Sequence, residues 1–122
     1  MTIEEMKEIA EKTGCSFYNE KGSSEVFIYY PLSMFTEHVW HNSSIMSYDY
    51  NNDEIWLYTE IMHETGNIVE PNADYYYMAN TLDGKAQKDR PIEEFIEIIN
   101  KTKQKMKEKQ MELKLERVQG DF

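Results

Sequence analysis

The chain reads as an α+β domain: an N-terminal helix, a four- or five-stranded antiparallel sheet and a long C-terminal helix. Three observations predict this. Both ends carry apolar residues at helical spacing: Met6, Ile9 and Ala10 near the start, and Ile92, Phe95, Ile96 and Ile99 near the end. The middle shows short runs separated by turn formers. The clearest sets Ile55, Leu57, Thr59 and Ile61 against Trp56, Tyr58, Glu60 and Met62. Finally, 122 residues, 40% of them hydrophobic, make one domain able to bury a core without disulfides or metal.

Each element has its own signal. Thr2 and Glu5 form a capping box, Thr13 continues the apolar face, and Gly14 suits the left-handed residue that ends a helix, so the first helix spans about residues 3–13. Residues 15–18 and 25–30 pair as a hairpin across the turn formers Asn19 to Ser24, and Pro31 ends the second strand. Residues 35–40 form a short extended candidate. Residues 45–50 and 54–62 form a second hairpin about Asn51-Asn52-Asp53. The chain turns again over residues 63–67, and residues 75–80 are the last strand. Consecutive short strands with short turns predict an antiparallel meander.

Residues 82–90 read as a polar loop. Pro91 then opens a helix with Glu93 and Glu94 in its first turn, where the macrodipole favours them. Its apolar stripe continues through Met106 and Leu113, interrupted by Lys103 and Gln110. A helix over 91–118 would be about 40 Å long at ~1.5 Å per residue. A domain of this size has a radius of gyration of only ~14 Å. The helix end is therefore expected to overhang its own sheet and to pair with a second protomer in a homodimer. Met111, Leu113 and Leu115 alternate, which leaves a terminal strand as the alternative.

The charge is uneven. The net charge is −10, and from Gly22 to Gly84 there is no lysine or arginine over 63 residues. That stretch holds ten carboxylates (Glu25, Glu37, Asp49, Asp53, Glu54, Glu60, Glu64, Glu70, Asp74 and Asp83) and eight of the nine tyrosines. Residues 1–84 carry three lysines against fifteen carboxylates, whereas residues 85–122 carry ten basic and eight acidic residues. Such a surface attracts cations and has no guanidinium fork for phosphate. Direct nucleic-acid binding by the aromatics is not expected, since the accompanying positive groove is missing. A solubility role is the plain alternative, but it fits an even scatter better.

No apolar run approaches the ~18 residues needed to span a bilayer, and the acidic, amphipathic N-terminus does not resemble a secretory signal. The single cysteine excludes an internal disulfide. The expectation is a soluble cytoplasmic protein. Cys15 lies beyond a helix C-terminus, the unfavourable end for a thiolate, and reads as a small core residue. His38 and His41 point to opposite faces if they lie on a strand, as Val39 and Trp40 suggest, so these histidines and His63 read as structural and no metal is expected. No phosphate loop, nucleophile elbow or paired-cysteine pattern is present, and no cofactor is implied.

The functional expectation is a non-enzymatic binding protein. Tyr48, Asp49, Tyr50, Asp53 and Glu54 in the second hairpin, with Tyr75, Tyr76 and Tyr77 in the last strand, are the candidate partner-binding residues. Tyrosine offers large contact area with few rotatable bonds and stacks on arginine. Three consecutive tyrosines cannot share one face, so at least one is expected to be exposed. The three carboxylates lie in or beside a turn, so reversing their charge is expected to leave the fold intact. The partner is expected to be a basic protein surface, of the kind that serves nucleic-acid binding in a nuclease. Occupying it would inhibit that protein, in the manner of anti-CRISPR or nuclease-immunity proteins, a comparison of size and charge alone. Two alternatives stand beside this. One is a small-molecule or nucleotide-signal binder with a pocket at an oligomer interface, marked by heat stabilisation with a nucleotide. The other is a small hydrolase using carboxylates and His38, His41 or His63, marked by turnover that needs a divalent cation.

Overall fold

The computed structural model describes the backbone of residues 1–120, and the side chains of all of these except 81–84 and 118–120. The order of elements is α1 (Ile3–Thr13), β1 (Ser16–Asn19), β2 (Glu25–Tyr29), α2 (Val39–Asn42), β3 (Ser44–Asp49), β4 (Glu54–Thr65), β5 (Asp74–Ala86) and α3 (Ile92–Gly120). The five strands form one antiparallel meander in the order β1-β2-β3-β4-β5. The predicted class and the antiparallel meander are both observed.

Helices α1 and α3 pack on one face of the sheet. The Thr2 hydroxyl caps α1 by accepting from the Glu5 amide at 3.1 Å. Gly14 ends the helix at φ 67, a conformation that costs a Cβ-bearing residue about 1–2 kcal/mol. In register, Val26 lies opposite Tyr48 and Ile28 opposite Met46, while Met46 meets Leu57 and Tyr48 meets Ile55 on β4. These side chains face Met6, Ile9, Phe95, Ile99 and Met106 in a single buried core. A bulge between Ile28 and Tyr29 leaves Ile45 unpaired, and both Ile45 and Met46 are fully buried.

The two polar interruptions of the α3 stripe turn out to be docking groups. Lys103 Nζ donates to the Thr13 carbonyl at the C-terminus of α1 and sits 4.7 Å above the Tyr30 ring. Gln110 Oε1 accepts from the Met34 amide at 3.0 Å and the Ser33 hydroxyl at 3.1 Å. Met34 and Phe35 thereby join the core from the β2–α2 connection.

Four expectations are corrected. Residues 35–40 are not a strand, because polar side chains close a helical turn there: Asn42 Nδ2 donates to the Glu37 carbonyl at 2.6 Å and the Ser44 hydroxyl to the Trp40 carbonyl at 2.7 Å. β4 continues through His63 to Thr65, so the turn begins only at Gly66. β5 runs on to Ala86 instead of giving way to a loop at residue 82. A polar edge strand is stable when one side faces water, and Lys85 meets Glu54 across the ladder while Ala86 packs on the core. Fourth, α3 does not overhang. Its 29 residues run beside a β4–β5 ribbon of similar length, about 40 Å at ~3.3 Å per strand residue. Leu113 still packs on the core, and α3 stays helical where a terminal strand was the alternative.

Candidate functional site

The β3–β4 hairpin brings together five of the eight predicted residues, but as a structural unit. Asp49 closes the turn: its carboxylate accepts from the Asn52 side chain at 2.8 Å, the Ser24 hydroxyl at 2.8 Å and the Asn51 amide at 3.0 Å. These bonds, the Asn52 side chain first, hold its pKa below the ordinary carboxylate value. Asp53 sits at φ 54, which aspartate tolerates better than most residues. Lys88 at 2.7 Å and the Tyr48 hydroxyl at 3.0 Å hold its carboxyl low as well, Lys88 contributing most. Glu54 pairs with Lys85 at 3.2 Å. Tyr48 is only 5% exposed, and burial first, then Asp53, raises its pKa. Tyr50 alone faces outward, its hydroxyl donating to the Ser23 carbonyl.

This corrects the idea that Asp49, Asp53 and Glu54 can be reversed without touching the fold, since lysine at these positions removes the turn bonds and meets Lys85 and Lys88. It also sets a pH dependence. Both aspartates have folded-state pKa values below the unfolded ones, so their stabilisation is present above the ordinary value of 3.8 and is lost as pH falls through the folded values. The urea midpoint is expected to drop as the pH falls below the ordinary carboxylate value of 3.8, and Asp53→Asn is expected to flatten that drop. An unchanged slope in the variant would contradict the assignment.

The three consecutive tyrosines lie on a different part of the molecule. β3 pairs with β4 only as far as Met46 and Leu57. Beyond that, β4 and β5 continue as a two-stranded ribbon through the pairs Ile61–Met78, Met62–Tyr77, His63–Tyr76, Glu64–Tyr75 and Thr65–Asp74. The period of two puts Tyr76 on the α3 side and Tyr75 and Tyr77 on the other. Tyr76 stacks on His63 at 4.2 Å between ring centroids, with Lys109 5.8 Å above it. Tyr75 and Tyr77 lie 6.1 Å apart, and the Tyr75 hydroxyl donates to Glu70 at 3.2 Å. All three are half-buried. Burial, then Glu70, raises the Tyr75 pKa.

The ribbon end also gathers carboxylates that sequence reasoning did not single out. Lysines from outside the cation-free stretch neutralise Asp53, Glu54 and Glu60. Among the described residues, Glu37, Glu64 and Glu70 have no lysine or arginine partner, and Asp74 meets only His63, at 2.6 Å. The Asp83 side chain lies outside the described residues. Glu37, Glu70, Asp74 and Tyr75 border an open cleft of about 360 Å³. Four carboxylates of the cation-free stretch that no lysine or arginine meets thus gather at this end of the sheet, while Glu25 and Asp49 lie opposite each other at the other end, Asp49 being held in the turn bonds. Linear sequence did not show this because the neutralising lysines come from elsewhere in the chain.

At the tip, the 66–73 loop presents Ile68 at 99% and Val69 at 88% exposure. Their only sequence signal is two β-branched apolar residues set between turn formers, outside any strand pattern. On the sheet face away from α1 and α3, Trp40 lies tilted against Tyr18 at 4.5 Å between ring centroids and meets Phe27 edge-on at 5.2 Å. A second open groove, between the ribbon and α3, is bordered by Ser33, Asp74, Tyr76, Gln110, Lys114 and Arg117.

His38 caps the single turn of α2 at φ 42, His41 packs against Trp40, and His63 pairs with Asp74. Among the described residues, no group of three or more His, Cys, Asp or Glu side chains is placed to hold a metal ion. Burial raises the pKa of Cys15, which is half-buried against the core. Among the described residues, no helix is long and apolar enough to cross a membrane. No known protein family, curated protein or solved structure matches the chain, so any functional reading rests on its own residues.

Proposed function

We propose that the protein is a non-enzymatic binding module whose acidic, tyrosine-bearing sheet engages a basic surface of a partner protein and inhibits it by occupying that surface. The observation that carries this reading is the segregation of charge. Asp53, Glu54 and Glu60 are paired internally, while Glu37, Glu64, Glu70 and Asp74 gather at the end of the β4–β5 ribbon beside Tyr75 and Tyr77. A solubility role has no use for such concentration. Carboxylates beside aromatic rings suit arginine and lysine, which pair with the former and stack on the latter. The binding face therefore moves from Asp49, Asp53 and Glu54 toward the ribbon end, keeps Tyr75 and Tyr77, and leaves Tyr48 as a core residue. A nucleic-acid-binding surface, as on a nuclease, is the proposed kind of target.

A tagged copy expressed in its native host is expected to retain a basic protein in stoichiometric amount. Association of the purified pair is expected to weaken as salt rises. Glu37→Lys with Glu70→Lys and Asp74→Lys is expected to slow it by at least about tenfold, since steering acts mainly on the on-rate. The control reverses Glu108, Glu112 and Glu116 on α3, a face of mixed charge. Equal effects of the two triple variants, or none from either, would sink the proposal.

The groove between Tyr76, Lys114 and Arg117 favours a second reading, a small anionic ligand held between the ribbon and α3. Asp74 borders the same groove and opposes an anion there, so this reading stands second. Heat stabilisation by a nucleotide would favour it.

A further inference from the structure

We infer that the 66–73 loop is a preorganised docking finger whose Ile68 and Val69 side chains seat in an apolar pocket rimmed by lysine or arginine on the partner protein. The inference rests on the acidic-face reading and adds an anchor to it.

Three observations carry it. First, Ile68 and Val69 are almost fully exposed and take no part in the core, so their apolar character serves no packing purpose in this chain. Second, the loop that holds them is built from its own hydrogen bonds. Asn67 Oδ1 accepts from the Val69 amide at 2.9 Å and the Glu70 amide at 2.7 Å, and the Asn67 amide donates to the Glu70 carbonyl at 3.0 Å. Asn67 Nδ2 donates to Glu64 at 2.6 Å, and Tyr75 holds Glu70 from the neighbouring strand. Gly66 is required beneath them, because a Cβ there would run into the Pro71 carbonyl oxygen. A loop already ordered does not lose that freedom on binding. Third, the rim is acidic. Glu64 and Glu70 flank the pair, Asp74 follows, and no lysine or arginine occurs between residues 22 and 84.

An apolar centre inside an anionic rim is complementary to an apolar pocket inside a cationic one. The same rim repels an anionic lipid surface. A second copy of the chain is a poorer match. Its exposed apolar residues on α3, Met111 and Leu115, lie among both lysines and glutamates, and its net charge of −10 as a whole opposes approach to the acidic rim.

The test uses two defined probes, nona-lysine and an amphipathic helical peptide of leucine and lysine only, against the full chain. The wild type is expected to bind both, and the leucine–lysine peptide more tightly. Ile68→Ser with Val69→Ser is expected to weaken the leucine–lysine peptide about a hundredfold, through faster dissociation, and to leave nona-lysine unchanged. Both positions are exposed, so circular dichroism and the urea midpoint are expected to stay put. Equal affinity of the double variant and the wild type for the leucine–lysine peptide overturns the finger, as does a wild type that prefers nona-lysine. Failure of the wild type to bind nona-lysine overturns the acidic-face reading itself. Light scattering and flotation with phosphatidylcholine vesicles complete the test. Self-association or vesicle binding that the double variant loses would assign the finger to a second copy or to lipid and overturn the partner named here.

Discussion

Phe95→Ala is expected to lower stability by about 3–5 kcal/mol, the cost of emptying a large, well-packed site. Phe95 is fully buried, and it shares the core with Met6 and Ile9 of α1, Ile28 of β2 and Met46 of β3. It is thus one of the side chains that seat α3 on both the other helix and the sheet. The urea midpoint should fall with little change in slope, as it does when a variant alters stability but not the surface exposed on unfolding. A loss under about 1 kcal/mol would mean that α3 is not seated as described. Ile68→Ala supplies the contrast. It also removes aliphatic carbons, but from a side chain 99% exposed, so its effect on stability should stay within about 0.5 kcal/mol.

Deletion of residues 106–122 is expected to cost more than about 4 kcal/mol and to loosen the ribbon. Met106 alone is fully buried, and emptying such a site costs about 2–5 kcal/mol. The deletion also removes Gln110, which holds Ser33 and Met34, together with Leu113 and the Lys109 contact over Tyr76. Protease cleavage in the 58–80 ribbon should accelerate in the truncated chain. Full stability after truncation would mean that the last turns of α3 do no packing within the protomer. Because those turns do pack, truncation cannot report on assembly. The proposed homodimer through α3 is better tested by Met111→Ser with Leu115→Ser, which alters only side chains 58% and 56% exposed. At micromolar concentration, light scattering should show this variant nearer than the wild type to the 14.6 kDa monomer. A wild type already at that mass would rule out the homodimer expected from the sequence.

How far each feature was legible in the sequence depended on how local its cause is. The capping box at Thr2 and Glu5, the Gly14 stop and the alternation from Ile55 to Ile61 act within a few residues, so α1 and the middle of β4 could be read directly. Residues 35–40 misled because valine and tryptophan suggest a strand, whereas hydrogen bonds from Asn42, Ser43 and Ser44 bend the chain into a turn. The ends of β4 and β5 misled because an edge ribbon can be polar, and its extent is set by the strand and helix beside it. For the candidate site, composition located the cation-free, tyrosine-rich stretch and Tyr75 to Tyr77. It could not separate Tyr48, which the core absorbs, from Tyr50, which faces water.

By itself, the sequence determined the fold class, the helical faces, the meander and the excess of negative charge over residues 22–84, all of which follow from local propensity, periodicity and counting. Tertiary structure alone decided where that charge is left unpaired. Lys85, Lys88 and Lys105 reach back over 31, 35 and 45 residues to Glu54, Asp53 and Glu60, and neutralise carboxylates that look free in the linear chain. Those ion pairs depend on distance in space, which sequence spacing does not encode. Among the carboxylates that no lysine or arginine meets, Glu37, Glu64, Glu70 and Asp74 make an acidic ribbon end with two bare apolar side chains at its tip.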